Sequence, residues 1–416
     1  MSRAPASVRD RDLRRTDARL VLALTTSAFV LRVCARWIAG ASQAGGYDFY
    51  IGIARTFADT GWLCESARLG CAVRMPLYPL IIRPFLTASG VSAGLALLQA
   101  ALGAGLVPVV FGITRSLWGR RAAIVAACLA CVSPYAVLHD TALQDTVLVD
   151  LLLGAAMWQL LTLRARSNAT SAVLAGLMLA AAILASARVG FIVAAMLAWT
   201  AVAGGPSVSI RLKHAAAAAL AVIVCVGAWM VRNDVVVGEP VLTTESGASL
   251  WAANNAQTMR YLPSDSIDRS FAAALASRTD EERARLSVAG SEAAEDRVYA
   301  AMAWEYIAAH KIETARAAAV KMAVPLAAYL SPARSRLVEV LFALVYLPLH
   351  LLACVGAWRA RGEWRAHTLP LVVLAAFLLT SGIYWAHTSH AACVDPIWFA
   401  YAAAALTGAR PERDTI

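Results

Sequence analysis

The chain of 416 residues is 60% hydrophobic and 15% charged, with a mean hydropathy of +0.62. A soluble domain is about 45–50% apolar by a similar count, so the composition excludes one and points to an all-α, polytopic membrane protein. The net charge of +10 does not indicate a nucleic-acid partner, because most Lys and Arg lie in short loops between apolar runs, where they set topology.

The first nineteen residues are polar and Arg-rich, and no A-x-A-like site follows the first apolar run. No cleavable signal peptide is expected, and residues 1–17 read as a cytoplasmic tail. Runs approaching the roughly 20 residues needed to span a bilayer lie near 18–40, 91–117, 121–139, 142–163, 170–187, 189–204, 214–231, 336–358, 369–388 and 396–409. The segment 77–90, broken by Pro79, Pro84 and Gly90, reads instead as an interfacial helix.

Charge tests this ten-span map. With the N-terminus inside, the inner connections hold Arg115, Arg120 and Arg121, then Arg164 and Arg166, Arg211 and Lys213, and Arg359, Arg361 and Arg365. Each is basic, as cytoplasmic loops should be. The sequon Asn168-Ala-Thr170 then falls inside and is expected to be idle. Cys34, Cys128, Cys131, Cys225 and Cys354 fall in apolar runs and read as small buried hydrophobes.

Two long segments remain for the outer face, 41–90 and 232–335. The first, GGYDFYIGIARTFADTGWLCESARLGCAVRMPLYP at 45–79, is far longer than the roughly 2–8 residues that join packed helices. It sets Asp48, Tyr50, Arg55, Arg68 and Arg74 beside a bilayer, a pattern suited to a lipid-borne anionic phosphate. Asp48 has two roles open to it: general base or divalent-metal ligand, and cap of a helix starting near Tyr50. Cys64 and Cys71 could close a small ring in an oxidising compartment, or stay reduced.

In SPYAVLHDTALQDT, 133–146, Asp140 and Asp145 lie at the mouth between two spans, where a carboxylate is costly unless it faces a polar cavity. If the segment were helical they would share a side. His139 beside them is a catalytic candidate or an interfacial histidine. Arg188, between two apolar runs, needs an anion or snorkels to the interface. Arg32 and Arg36 pose the same choice, with snorkelling favoured. The second long segment opens irregularly at Arg232, carries Asn254 and Asn255, and continues at 268–321 as amphipathic surface helices. The sequence has no Gly-rich phosphate cradle, G-x-S-x-G, H-E-x-x-H or Rossmann fingerprint, so substrates borne by the membrane are expected.

Taken in order, several pieces resemble the GT-C type membrane glycosyltransferases that use polyprenyl-phosphate sugars, notably the protein mannosyltransferase and lipid A aminoarabinose transferase group. They are YDFYIGIAR; Arg74-Met-Pro76-Leu-Tyr78-Pro79; the stretch from Pro134 to Asp145; Arg188; the stretch from Arg232 to Asn255; and YIAAHKIETARAAAVK, 306–321. The resemblance covers most of the chain as one membrane domain, 1–416, in a bacterial inner membrane with its active site on the outer face. It implies inverting transfer of a sugar from a polyprenyl phosphate to a hydroxyl acceptor on a lipid, glycan or protein. Asp48 would be the base, with Asp145 and Asp140 as further acids; Arg74 and Arg188 would bind donor phosphate. Tyr50, Tyr78, Arg55, His139, His390, Asn254 and Asn255 would line the substrate site, with a divalent metal open.

Two departures stand out. Asp48 is two residues before Tyr50, with Gly46 at the position where relatives often carry the acid. HAACVDP, 390–396, lacks the Arg that relatives often show before its proline, leaving His390 and His387 nearby, at the cost of pH dependence. Competing readings are a lipid-linked saccharide transporter or flippase, which should carry charges deep in several spans, and a non-catalytic glycolipid-binding relative. The clustering of charges at span ends favours the enzyme.

Overall fold

The computed structural model describes residues 6–39, 48–66, 70–166, 168–385 and 387–410. The side chains of 6–14, 39, 48, 165 and 166 lie outside that description, as do Gly46, Arg68 and 411–416. Helix α1 (Ala6–Ala39) extends well into the expected polar tail. It is followed by α2 (Asp48–Thr60), α3 (Leu77–Ile82) and a short antiparallel hairpin, β1 (Leu86–Thr87) with β2 (Gly90–Val91). Then come α4 (Ala93–Trp118), α5 (Arg120–Val132), α6 (Pro134–His139), α7 (Thr146–Arg166), α8 (Ala169–Ala185), α9 (Gly190–Ala203) and α10 (Val208–Val237).

A second group forms a helical cap: α11 (Ser246–Ala253), α12 (Thr258–Tyr261), α13 (Ile267–Ala276), α14 (Asp280–Ser287), α15 (Glu292–Ala309) and α16 (Lys311–Ala323). The chain closes with α17 (Arg336–Ala360), α18 (Thr368–Ile383), α19 (Thr388–Ala391) and α20 (Asp395–Thr407).

Five stretches among the described residues are long and apolar enough to cross a membrane: Arg15–Ile38, Ala93–Trp118, Thr146–Arg164, Val208–Val237 and Arg336–Ile383. The last runs through both α17 and α18. The fold is therefore all-α with five candidate spanning helices, and ten separate crossings are not met by length. Helices α5 and α20 have 13 residues each. At about 1.5 Å per residue they rise roughly 20 Å, short of a core about 30 Å thick.

In the bundle, α4 packs on α1, α5 and α7, α8 on α7 and α10, and α17 on α20. Small residues permit the closest approaches: a Cβ on Gly176 of α8 would collide with the backbone of Ala218 on α10. The outward faces stay apolar, as Leu220, Ile223, Val224 and Val231 show on α10 and Leu337, Leu344 and Leu351 on α17. Such faces suit lipid, which is as apolar as leucine. Cys34, Cys128 and Cys354 share this exposure, correcting the expectation that they are buried.

Local signals behave as their chemistry requires. Asn168 caps α8 by accepting from the Thr170 amide at 3.0 Å, giving the sequon asparagine a structural use. Arg120 donates to Asp17 of α1 at 2.6 Å and Arg115 pairs with the same carboxylate, so these basic residues also fasten helix ends. Helix α10 runs to Val237, so Arg232 is helical where an irregular start was expected. The cap forms the expected helices and holds its own small core, with Trp251 near Phe271 and Tyr299.

Candidate functional site

The loop that delivers Arg74 is held from several directions. Cys64 and Cys71 are joined as a disulfide. Arg232 donates to the Cys71 carbonyl at 2.6 Å and to the Leu63 carbonyl at 3.1 Å. Glu292 of α15 accepts from the amides of Cys71 and Ala72, at 3.0 and 3.1 Å. The Thr244 amide donates to Ala72 and the Thr243 hydroxyl to Val73. Cap and loop thus form one frame, which fixes backbone position where small displacements matter.

Arg74 forms an ion pair with Glu245, the residue preceding α11, and its guanidinium carbon lies 4.4 Å from the centre of the Phe49 ring. Its Nε is buried without a partner. Burial raises the Glu245 carboxyl to about 7, against the pull of Arg74. Tyr50 is buried and meets Tyr78 edge-on at 4.9 Å. Burial raises its phenol far above the usual value; Asp145 adds to this, and Arg74 and Arg188 oppose it. Tyr50 is therefore neutral and lies within the fields of Asp145, Arg74, Arg188 and Glu245. Arg188 sits in the short turn Ala187–Val189 between α8 and α9, and its Nη2 is buried without a partner.

Asp140 and Asp145 do not share a helix face, because the chain turns between α6 and α7. Asp140 accepts from Arg32 at 2.7 Å, with both side chains almost fully buried. Arg32 thus pairs inside the bundle, correcting the snorkelling expectation. Asp145 instead acts on Tyr50 and Tyr78.

His139 stacks on Tyr135 at 5.0 Å, and His387 on His390 at 5.6 Å. Burial, then the charge of Arg188, pushes His390 well below the ordinary histidine value. It is neutral at physiological pH and cannot replace a missing arginine as a cation.

The amides of Asn254 and Asn255 are spent on protein partners. Asn254 donates to Leu250 and Ile383 and accepts from Lys321; Asn255 donates to Trp251 and accepts from the Gln257 amide. Both side-chain amides thus brace the cap, with their donors and acceptors engaged within the protein. Arg55 donates to carbonyls of the hairpin, Thr87 and Ala88. Asp48 is the first residue of α2, and its side chain lies outside the described residues, as does all of Arg68.

Sequence reasoning missed Glu245, Asp150 and Lys321. Asp150 is 1% exposed on α7, and its Oδ1 has no partner. A lone acid in an apolar run is itself a signal. Lys321 ends the YIAAHKIETARAAAVK segment and is fully buried, donating to Ala253, Asn254 and Ile383. A small aromatic cleft is lined by Tyr135, Phe342, Tyr346, His350 and Trp398, with Asp395 in its wall. Among the described residues no cluster of three or more His, Cys, Asp or Glu is placed to hold a metal ion.

Known proteins share this architecture. Residues 73–230, under half of the chain, match the family model for dolichyl-phosphate-mannose-protein mannosyltransferase. The oligosaccharyltransferase AglB of Archaeoglobus fulgidus, in complex with an inhibitory peptide and a dolichol-phosphate, aligns over 93% of this chain at 14% identity with a TM-score of 0.53. At this identity the likeness is one of fold. This chain spans about half the length of that AglB chain, 50%. An Archaeoglobus fulgidus oligosaccharyltransferase tethered with an acceptor peptide aligns similarly, over 93% of this chain and 49% of its own, at 15% identity and a TM-score of 0.51. ArnT of Cupriavidus metallidurans, bound to undecaprenyl phosphate, aligns over 91% of this chain and 77% of its own at 15% identity, with a TM-score of 0.42. A comparison with curated proteins found no match.

Proposed function

We propose that the protein is an inverting membrane glycosyltransferase that moves a sugar from a polyprenyl phosphate to a hydroxyl acceptor. The observation that carries this reading is the pair of arginines, Arg74 and Arg188, each of which keeps one buried nitrogen, Nε and Nη2 respectively, without a partner, and whose charges act on the same tyrosine. Buried guanidinium donors without partners are costly unless an anion completes them. The GT-C kinship and the mannosyltransferase match at residues 73–230 support a phosphate-linked sugar as that anion's carrier.

In this reading the acceptor oxygen attacks the anomeric carbon from the side opposite the phosphate. The carbon–oxygen bond to phosphate breaks, the phosphate keeps the electron pair, and the acceptor proton passes to Asp48. Arg74 and Arg188 stabilise charge gathering on the leaving phosphate. Asp145 and neutral Tyr50 shape the sugar side. No step is routed through a metal. The chain would cross a bacterial inner membrane ten times, shorter helices completing the bundle, with the site on the periplasmic face.

Buried charges within the bundle favour a second reading, lipid-linked saccharide transport, through Asp150 and the Arg32–Asp140 pair. That pair is closed on itself, at 1% and 5% side-chain exposure, and so lines no passage. Mass-spectrometric profiles of lipid-linked saccharides and surface glycans, with and without the gene, separate the two. Transfer predicts loss of one added sugar and accumulation of its acceptor. Loss of every outward-facing saccharide would favour transport.

A further inference from the structure

Glu245 stands at the start of α11, where an acid would ordinarily serve the first helical amides. That work is done by another residue. Asp296 of α15 accepts from the Gly247 amide at 2.7 Å and the Ala248 amide at 3.0 Å, and the Glu245 side chain makes no cap bond. The hydrogen bond its carboxylate makes is to Arg74. Arg74 in turn sits in a loop whose backbone is fixed by Arg232, Glu292, Thr243 and Thr244, so the ion pair orients the side chain and is not needed to place the loop. Each partner keeps 29% of its side chain exposed, which leaves the pair within reach of a ligand.

We propose that Glu245 is a positioning residue that holds the Arg74 guanidinium in line until the phosphate of a polyprenyl-phosphate lipid takes its place. The proposal rests on reading Arg74 as a donor-phosphate ligand. A carboxylate presents two oxygens and a phosphoryl group presents more, so the entering anion can satisfy Arg74 Nε and Arg188 Nη2, which a carboxylate at one guanidinium leaves open. Exchange of one anion for another keeps the charge on Arg74 balanced throughout. An internal stand-in also disfavours uncharged lipids, which cannot displace it.

The freed carboxylate needs somewhere to put its charge. Glu245 is faced by Arg74, by Glu65 of the disulfide loop and by Asp296 of α15, with neutral Tyr50 of α2 close by. Arg74 is the group that lowers its pKa, and burial, Glu65 and Asp296 raise it to about 7. When phosphate takes over Arg74, that lowering influence is shared with a new anion, and Glu245 takes one proton from water. Proton uptake on binding means affinity is highest where Glu245 is already protonated, and falls as pH rises above about 7.

The test measures binding of undecaprenyl phosphate, with the uncharged polyprenol as control, to purified protein between about pH 6 and about pH 8.5. Wild type, Glu245→Gln, Glu245→Ala and Arg74→Ala are compared, each checked for a single gel-filtration peak. The lipid phosphate titrates in the same window, so the ratio of variant to wild-type affinity isolates Glu245. The expected result is that both Glu245 variants bind about three- to tenfold tighter than wild type at the alkaline end. The advantage should shrink toward the acid end. Equal affinity ratios at every pH, or weaker binding in both Glu245 variants, overturn the proposal while leaving Arg74 as a phosphate ligand. If wild type binds phosphate lipid no better than polyprenol, the reading of Arg74 itself falls, and the exchange with it.

Discussion

Arg32 of α1 donates from Nε to Asp140 at 2.7 Å, and the space for this pair exists because residue 103 of α4 is glycine. A Cβ at Gly103 would strike both the Asp140 carboxylate and the Arg32 guanidinium. Arg32 also donates to the Ala28 carbonyl at 3.1 Å. Three helical segments therefore meet at one charged contact inside an apolar bundle.

Breaking either half of that contact leaves a buried charge alone. Arg32→Met or Asp140→Leu singly should cost about 3–5 kcal/mol, whereas the double replacement should recover much of the loss. Gly103→Ala should resemble the singles. Fluorescence-detected gel filtration and apparent melting temperature in detergent read this directly, and a double variant no better than the singles would contradict the pairing account.

For catalysis, Asp48→Asn should keep insertion and abundance while lowering turnover by about 10²–10⁴-fold, the usual worth of a general base. Unchanged turnover would move the base to Asp145. Lost protein with unchanged specific activity would leave Asp48 as a helix cap.

Donor dependence is a separate matter. Arg74→Ala and Arg188→Ala should each raise the donor concentration required, because each removes a charge-assisted contact from a poorly solvated anion. Lysine at either position should restore only part of this, since the planar fork is lost. Donor binding that is unchanged in both alanine variants would put the phosphate elsewhere.

Lys321 gives a pH effect of definite sign. Burial lowers its ammonium from 10.5 to about 7, and none of the causes of that shift is a carboxylate. Between those values the unfolded chain binds more protons than the folded one, so stability should rise with pH across that window. Apparent melting temperature followed from about pH 7 to about pH 10 should climb in wild type and stay flatter in Lys321→Met. The same variant should start lower, having taken the Lys321 donor away from the Ala253 carbonyl and the Asn254 amide oxygen.

Much of this organisation is legible in the sequence because hydropathy and charge are local properties. The apolar runs, their basic connections and the cap helices at 267–323 are each written in a stretch of neighbouring residues. The pieces around Tyr50, Arg74, Asp145 and Arg188 could likewise be named one by one. Their pairings could not. Asp140 and Asp145 look equivalent five residues apart, and only the turn between α6 and α7 sends one to Arg32, 108 residues away, and the other toward Tyr50. Asn254 and Asn255 look available until Lys321 and the α18 carbonyl at Ile383 claim the first of them. A break inside an apolar run is equally hard to read: the stretch at 121–139 divides at Ser133 into α5 and α6.

The straps between the first long segment and the cap also set an order of assembly. Arg74 and Glu245 are 171 residues apart, and Cys71 and Glu292 are 221 apart. At a synthesis rate of about 5–20 residues per second, the Arg74 loop waits roughly 10–40 seconds for the residues that fasten it. Cys64 and Cys71, only seven positions apart, can meet within that interval without help from the rest of the chain. A ring closed that early would act as a placeholder, joining the two ends of its short loop before α15 is made.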